Sequence, residues 1–177
     1  NDGRLDPIGT CIGIKGSRIQ TISNELYGEK IDIILWDSNI TKFVINAMSP
    51  AEINSIVVDN DNKSMELAVP INMLAQTIGK NGQNVKLANI LTNWKISVIS
   101  SDEAKLKEQS EIKKYIELFS NKLNISENFS TLLVNKGFRS LEELAYISKK
   151  ELLKLNIFDE KFVNKLKKKI KEIFLEK

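Results

Sequence analysis

The sequence has 177 residues, of which 26 are lysine or arginine, 23 are acidic, 42% are apolar, one is cysteine and none is histidine. Without histidine, the chain lacks Ser-His-Asp triads and the ligand of most zinc sites, and a single cysteine cannot form an internal disulfide. No apolar run reaches the roughly 18–20 residues that a membrane-spanning helix needs. We therefore expect an intracellular, cytoplasmic binding protein without catalytic residues, metal or cofactor. The absence of an initiator methionine indicates a fragment or a processed product.

Charge is unevenly distributed along the chain. Residues 1–100 carry nine basic and ten acidic side chains, whereas residues 101–177 carry seventeen and thirteen. Residues 67–101 hold three lysines and no acid. Such a local basic surface can attract a phosphate backbone although the whole chain is nearly neutral.

An internal repeat is the most informative pattern. Residues 11–20 and 77–86 share the pattern Ile-Gly-x-x-Gly, followed by two polar residues and an aliphatic one. Each copy is followed by a helical pattern, at 17–26 and 83–91, and then by an alternating strand pattern, at 30–36 and 95–100. The repeat predicts two tandem modules of similar fold.

The second copy lies in a complete order of predicted elements, α-β-β-α-α-β. A helix at 41–47 precedes a turn or helix start at 49–52. Apolar strands at 55–59 and 65–69 flank a polar turn, and Pro70 can begin the helix that follows at 71–78. The first copy has no leading helix and strands before it, which predicts an incomplete first module.

After residue 100 the pattern becomes helical. Residues 101–109 are polar and are predicted as a linker that runs into an amphipathic helix at 111–123. Four short helices follow at 129–136, 140–147, 149–155 and 159–174, with Gly137 ending the first of them. The predicted N-caps are Ser126, Ser140, Ser148 and Asp159, and Ser140 with Glu143 has the form of a capping box.

The paired glycines predict contacts with a nucleic-acid backbone. Two glycines three residues apart leave little side-chain bulk, so a phosphate can approach the main chain and the positive end of the next helix. Nearby lysines and an arginine can neutralise phosphate charge. The candidate contact residues are Gly13, Ile14, Lys15, Gly16, Ser17 and Arg18 in the first copy, and Gly79, Lys80, Asn81, Gly82, Gln83, Asn84 and Lys86 in the second. Aliphatic residues that could line a groove for unpaired bases are Ile12, Ile19, Ile33, Ile78, Val85 and Val98.

A GxxG loop between two helices is the signature of KH domains, which clamp about four nucleotides of single-stranded nucleic acid with that loop. The α-β-β-α-α-β order resembles the type II KH arrangement. Over about residues 4–100 the chain resembles the tandem KH pair of the NusA family of bacterial transcription elongation factors, through the stretches DPIGTCIGIKGSRIQ (6–20), GEKIDI (28–33) and AQTIGKNGQNVKLA (75–88).

The resemblance implies an α+β fold with two tandem type II KH domains, the first lacking its leading elements, and a small helix-hairpin-helix-like module. The expected boundaries are 1–38 and 39–101 for the KH domains, 102–122 for a linker and connecting helix, and 123–177 for the helical module. It also implies binding of single-stranded nascent RNA, association with RNA polymerase, and effects on pausing, termination and antitermination. We expect a monomer that does not contact membranes.

The helical module departs from the family, whose corresponding repeats are usually acidic. Residues 122–177 carry thirteen basic and eight acidic side chains, so a protein partner for this module stays open. One alternative function is therefore a protein-interaction adaptor, in which the helical module binds a partner and the KH pair is a scaffold. Another is a KH protein that serves the ribosome or RNA decay.

Several further residues have two possible interpretations. Trp94 is interpreted as a core residue rather than a base-stacking one, Trp36 fits both roles equally, and Cys11 is expected to be a small core residue. The turn at 155–158 lacks the glycine of DNA-binding hairpins and is interpreted as a packing or protein-binding hairpin. The lysines of the last helix are expected to form a solvated face, with RNA contact as the alternative: Lys165, Lys167, Lys168, Lys169 and Lys171.

Overall fold

The computed structural model describes residues 5–155 and 158–175. Internal contacts divide the chain into two compact units, residues 1–104 and 105–177. The described residues form helices α1 (Pro7–Ile12), α2 (Ser17–Glu25), α3 (Ile40–Ala47), α4 (Ile71–Ile78), α5 (Gln83–Thr92), α6 (Ser101–Leu123), α7 (Glu127–Asn135), α8 (Leu141–Tyr146), α9 (Lys149–Lys154) and α10 (Glu160–Leu175), and strands β1 (Ser55–Asp59), β2 (Ser64–Val69) and β3 (Lys95–Ser100).

The sheet of the first unit has the strand order β1-β2-β3. β1 and β2 pair antiparallel, with Ser55 opposite Ala68, and β3 pairs parallel to β2, with Met65 opposite Ile96. Because parallel neighbours need a crossover connection, the chain between β2 and β3 runs through α4 and α5. The α-β-β-α-α-β order predicted for the second copy is confirmed, and the crossover contains the second glycine loop.

One apolar core holds α3 and α5 against the sheet. Its buried residues come from both helices, from Met48 directly after α3 and from strands β2 and β3: Val44, Met48, Met65, Leu67, Ala88 and Ile96. The β1–β2 turn is fixed by Asp59, whose carboxylate accepts hydrogen bonds from the backbone N–H and the side-chain amide of Asn62, at 3.0 and 2.7 Å. These bonds hold the pKa of Asp59 below its ordinary value, because they favour the charged carboxylate.

The strand predicted at 30–36 is wrong. The segment has no regular secondary structure, and none of the described strands pairs with it. Alternating apolar residues favour an extended backbone, whereas a strand also needs a hydrogen-bonded neighbour. The Leu35 carbonyl instead accepts a hydrogen bond from the Asn46 side chain at 2.9 Å.

Two other interpretations of the first unit are settled by the structure. Cys11 is exposed, so its expected place in the core is wrong. It lies in α1, a helix of six residues with no buried side chain. Of the two alternatives for the 49–52 segment, the turn is confirmed, because residues 48–50 form a turn and no helix begins there.

The second unit is helical and surrounds its own core. The fully buried side chains come from α6 to α10 and the turn before α10: Phe119, Leu123, Leu133, Val134, Leu144, Leu152, Phe158, Val163, Leu166 and Ile170. Gly137 ends α7 with a φ of +95°, and the N–H of Phe138 donates to the Leu133 carbonyl at 3.2 Å. This is the glycine-terminated helix end that the sequence predicts.

The linker predicted at 101–109 is helical, as part of α6. The Ser100 hydroxyl accepts a hydrogen bond from the N–H of Glu103 at 3.1 Å, and the acidic Asp102 and Glu103 favour a helix N-terminus. Local capping therefore starts the helix ten residues before its apolar pattern begins.

The other predicted caps are realised to different degrees. Ser148 and Glu151 form a complete capping box at α9. Ser140 caps α8, but the Glu143 carboxylate accepts from the N–H of Arg139 instead of completing the box. Asp159 accepts from the N–H of Phe162 at 2.7 Å, whereas the side chain of Ser126 makes no capping bond. Residues 156 and 157 of the predicted 155–158 hairpin lie outside the described part of the chain.

Candidate nucleic-acid interface

The two glycine loops have nearly the same backbone path. In each loop the preceding helix ends at the first glycine, whose N–H donates to the carbonyl four residues earlier at 3.0 Å. At the first glycine, φ and ψ are 78° and 171° in Gly13 and 76° and 168° in Gly79. At the third loop position they are 50° and 28° in Lys15 and 56° and 25° in Asn81. At the second glycine they are 79° and 14° in Gly16 and 72° and 20° in Gly82. The sequence repeat is therefore a repeat of loop structure.

The first glycine of each loop is required for packing. Gly13 and Gly79 occupy a backbone region that is essentially restricted to glycine. A Cβ atom on Gly13 would lie 2.8 Å from Cγ of Arg18, and one on Gly79 would lie 2.7 Å from Cγ of Asn84. The side chain five residues later thus covers the first glycine in both loops.

That covering side chain also ties the two helices together. Nη1 of Arg18 donates to the carbonyl of Thr10 at 2.6 Å, and Nδ2 of Asn84 donates to the carbonyl of Gln76 at 3.1 Å. The two acceptors occupy equivalent places, eight residues before their donors, at the end of α1 and α4. Sequence reasoning proposed both residues as nucleic-acid contacts and missed this bracing role, which two such different side chains share.

The second glycine of each loop faces open space. Nothing lies within 4 Å of a Cβ placed on Gly82, and one on Gly16 would meet only Cγ2 of Ile19 at 3.7 Å. Both glycines have left-handed backbone angles. An incoming chain can therefore reach the main chain here without displacing any side chain.

The remaining candidate residues surround these openings. The residues between the glycines are exposed in both loops, and Ile14 is 86% exposed. The basic residue is third in the first loop (Lys15) and second in the second loop (Lys80). Ser17 and Gln83 begin α2 and α5, and Lys86 is exposed on the first turn of α5. Each loop thus combines main-chain access, a helix N-terminus and a lysine, which is a combination suited to phosphate.

The proposed base-lining aliphatics are partly buried in both copies. In the second copy Val85 and Val98 pack against the core, and so does Trp94, in agreement with its interpretation as a core residue. Trp36 is 71% exposed.

A cavity of about 550 Å³ adjoins the second loop and was not foreseen. Its walls include Gln76 and Asn84, beside the loop, and Leu87 and Leu91 on α5. Residues of the 30–34 segment and of the turn at Ser49 and Pro50 also line it: Lys30, Ile31, Asp32, Ile34, Ser49 and Pro50. The available signal was the excess of apolar residues in α5, which has more of them than one buried helix face requires.

Residues 5–155 and 158–175 contain neither a candidate metal site nor a candidate membrane span. No group of three histidine, cysteine or acidic side chains in that part of the chain could hold a metal ion. None of its helices combines the length and the apolar character that crossing a bilayer demands.

Two family models match the part of the chain that contains the loops. Residues 1–36 match the NusA-like first KH domain, and residues 40–106 match the NusA-like second KH domain. Each match contains one of the two structurally equivalent loops. The chain belongs to the NusA family. Its α+β architecture, with two NusA KH domains followed by helices, is the fold predicted from the sequence.

Curated NusA proteins also match beyond the KH pair. The "Transcription termination/antitermination protein NusA" of Rickettsia prowazekii (strain Madrid E) is 35% identical over 170 residues, and that of Rickettsia conorii (strain ATCC VR-613 / Malish 7) is 35% identical over 169 residues. Each alignment covers 94% of this chain and 34% of the relative, so the chain spans about a third of their length. Among solved structures, the crystal structure of APE1850 is 26% identical, with a TM-score of 0.45, and the match covers 56% of this chain and 73% of that one.

Proposed function

We propose that this chain is the single-stranded RNA-binding portion of a bacterial transcription factor that acts in termination and antitermination. Membership of the NusA family favours this function over a ribosomal or RNA-decay role. The observation that carries the proposal is the repeated loop, whose second glycine leaves the main chain open at equivalent places in both copies. The RNA would be the nascent transcript, which places the protein in the cytoplasm with RNA polymerase.

The loops would hold RNA by its backbone. The N–H groups of Gly16 and Gly82 already donate to the carbonyls of Gly13 and Gly79, at 3.0 and 3.1 Å, but both glycines leave open space beside the main chain. A phosphate group would occupy that space, where the positive ends of α2 and α5 attract its negative charge. Lys15, Lys80 and Lys86 supply mobile positive charges that need no fixed geometry. Arg18 and Asn84 would act by bracing the loops, since their side chains already donate to the preceding helices.

The two KH modules would present one RNA surface. Residues 1–38 and 39–101 lie in one compact unit, and three residues, 37–39, link Trp36 to α3. Because a strand held by one loop is then close to the other, the second contact forms at a high effective concentration. We therefore propose that RNA engages both loops together, and that the protein modulates polymerase pausing, termination and antitermination through this grip.

Anisotropy of a labelled single-stranded RNA of about ten nucleotides tests the proposal, because several KH-sized contacts fit on that length. Two loop variants are compared with the unaltered chain: I14D/K15D and K80D/N81D. A matched control, N121D/K122D, makes the same change in charge as K80D/N81D on exposed residues of α6. Circular dichroism checks that every variant keeps its fold.

Each loop variant should bind RNA at least about tenfold more weakly, because two carboxylates repel the phosphates, while the control binds normally. Three neutralised phosphates should also give a slope of about −2 for log affinity against log salt. Unchanged affinity in both loop variants would refute the proposal. Equal losses in the control would show that net charge, and not the loops, governs binding.

A further inference from the structure

Helix α10 has one apolar side and many lysines. Val163, Leu166 and Ile170 are buried in the core of the second unit. Two of the lysines are already engaged in the fold. The ammonium of Lys167 donates to the carbonyls of Leu144, Ala145 and Ile147, and Lys169 lies 3.4 Å from the carboxylate of Glu172.

The other four lysines of α10 that the structure describes share one exposed side: Lys161, Lys165, Lys168 and Lys171. At 3.6 residues per turn the first three lie within about 60° around the helix, and the fourth lies about 60° further. They extend about 15 Å along the axis, at 1.5 Å per residue. None of them forms an ion pair with a described residue. Glu172 lies on the same side of α10, but its carboxylate is paired with the ammonium of Lys169.

A fifth cation from α9 adjoins these lysines. Nζ of Lys149 donates to Oδ1 of Asn164 at 2.7 Å, and Asn164 is one turn away from both Lys161 and Lys168 on α10. We call this set of five lysines the α10 basic face. Its charges come from two helices of the compact second unit, so their arrangement is fixed by the fold.

We propose that the α10 basic face binds the phosphate backbone of the same RNA that the glycine loops hold. Like charges one turn apart destabilise a helix, so a face of unneutralised lysines suits a polyanion that removes the repulsion. Lysine is a point charge without the planar fork of arginine, which favours contact with phosphates irrespective of sequence. The inference rests on the proposed function, because loop binding would bring the RNA to the same chain at high effective concentration.

The test compares RNAs of about 10 and about 40 nucleotides, since a strand that fills one binding domain occupies roughly 4–16 nucleotides and only a longer one can reach further. The variant K161Q/K165Q/K168Q/K171Q is measured in the full chain over a range of salt concentrations. Its matched control, K105Q/K113Q/K114Q/K122Q, removes the same charge from exposed positions of α6. A third variant replaces the four α10 lysines with arginine and keeps their charge.

For the longer RNA, the glutamine variant should lower the affinity about tenfold and reduce the salt slope by about 2–3, because four phosphate contacts are lost at about 0.7 each. The shorter RNA should bind within about twofold of normal, and the control and arginine variants should keep the slope. Circular dichroism and thermal unfolding confirm that the second unit is folded.

An unchanged slope in the glutamine variant would overturn the inference. An equal loss in the α6 control would also overturn it, because net charge would then be the cause. The loop variants separate this from the proposed function. If the loop variants alone lose RNA binding, the loops are the RNA site and the α10 basic face does not contact RNA. If the glutamine variant alone loses RNA binding, the loops are not the RNA site and the proposed function is refuted.

Discussion

The two glycines of the second loop should respond differently to alanine. Gly79 has backbone angles that only glycine adopts readily, so an alanine at this position would be strained by about 1–3 kcal/mol. The new Cβ would also lie 2.7 Å from Asn84, whose bond to the Gln76 carbonyl would be lost at about 0.5–1.5 kcal/mol. We therefore expect Gly79→Ala to lower the free energy of unfolding by about 2–4 kcal/mol. Gly82 has left-handed angles and free space, so Gly82→Ala should cost about 1–2 kcal/mol.

Chemical denaturation followed by tryptophan fluorescence measures the unfolding free energy of the first unit, to which both glycines belong. The chain has two tryptophans, Trp36 and Trp94, and both belong to the first unit. Linear extrapolation then gives the free energy of unfolding of that unit without a signal from the helical one.

A third variant isolates the steric contact. Asn84→Ala removes the group that the new Cβ would meet, so adding Gly79→Ala in that background should cost only the backbone strain, about 1–3 kcal/mol. Two variants whose losses simply add would refute the packing argument, since contacting residues are expected to couple. Equal losses for Gly79→Ala and Gly82→Ala would refute it as well.

Three further predictions concern single contacts. Arg18→Ala should lower the unfolding free energy of the first unit by about 0.5–1.5 kcal/mol in the fluorescence assay, because the bond to the Thr10 carbonyl is lost; no change would refute the bracing role. The pKa of Glu151 should lie below 4.5 in an NMR titration, because the Ser148 hydroxyl and N–H donate to its carboxylate, and Ser148→Ala should raise it. Since the folded-state pKa is the lower one, this contribution to stability is present above pH 4.5 and is lost as the pH falls through the folded value. Lys167→Gln should destabilise the helical unit by about 1 kcal/mol, because its ammonium donates hydrogen bonds to the carbonyls at the end of α8. Thermal unfolding followed by circular dichroism measures this loss, and an unchanged midpoint would contradict the prediction.

Local signals were sufficient for most of the second KH module. Pro70 precedes α4, Gly79 ends it, and β1, α4 and β3 have the predicted bounds. At both ends of α4 the backbone preference of one residue fixes the structure without reference to distant parts of the chain.

The errors arose where structure depends on a neighbour or on an overlooked cap. The 30–36 segment has the alternation of a strand, but no described strand pairs with it. The helix at 101–109 was predictable, because Ser100 and Glu103 have the same spacing as Ser140 and Glu143 and as Ser148 and Glu151, and all three serines accept a capping hydrogen bond from the residue three positions later.

The structure of the glycine loops was also predictable only in part. The glycine spacing and the helix that follows each loop predicted the open main chain. The bracing bonds of Arg18 and Asn84 were not predictable, because they join residues eight positions apart across a turn and use unlike side chains for one task. Their polarity alone favoured a phosphate contact, and only the folded loop shows where each amide or guanidinium points.

The most direct test of the central claim is an NMR titration of the isotope-labelled chain with single-stranded RNA. Four of the eight glycines belong to the two loops, and the other four, among them Gly9, Gly28 and Gly137, serve as internal references. If both loops hold RNA together, the amide signals of Gly13, Gly16, Gly79 and Gly82 should shift over the same range of RNA concentration while the references stay in place. Loop signals that remain unmoved while the RNA is bound would contradict the claim.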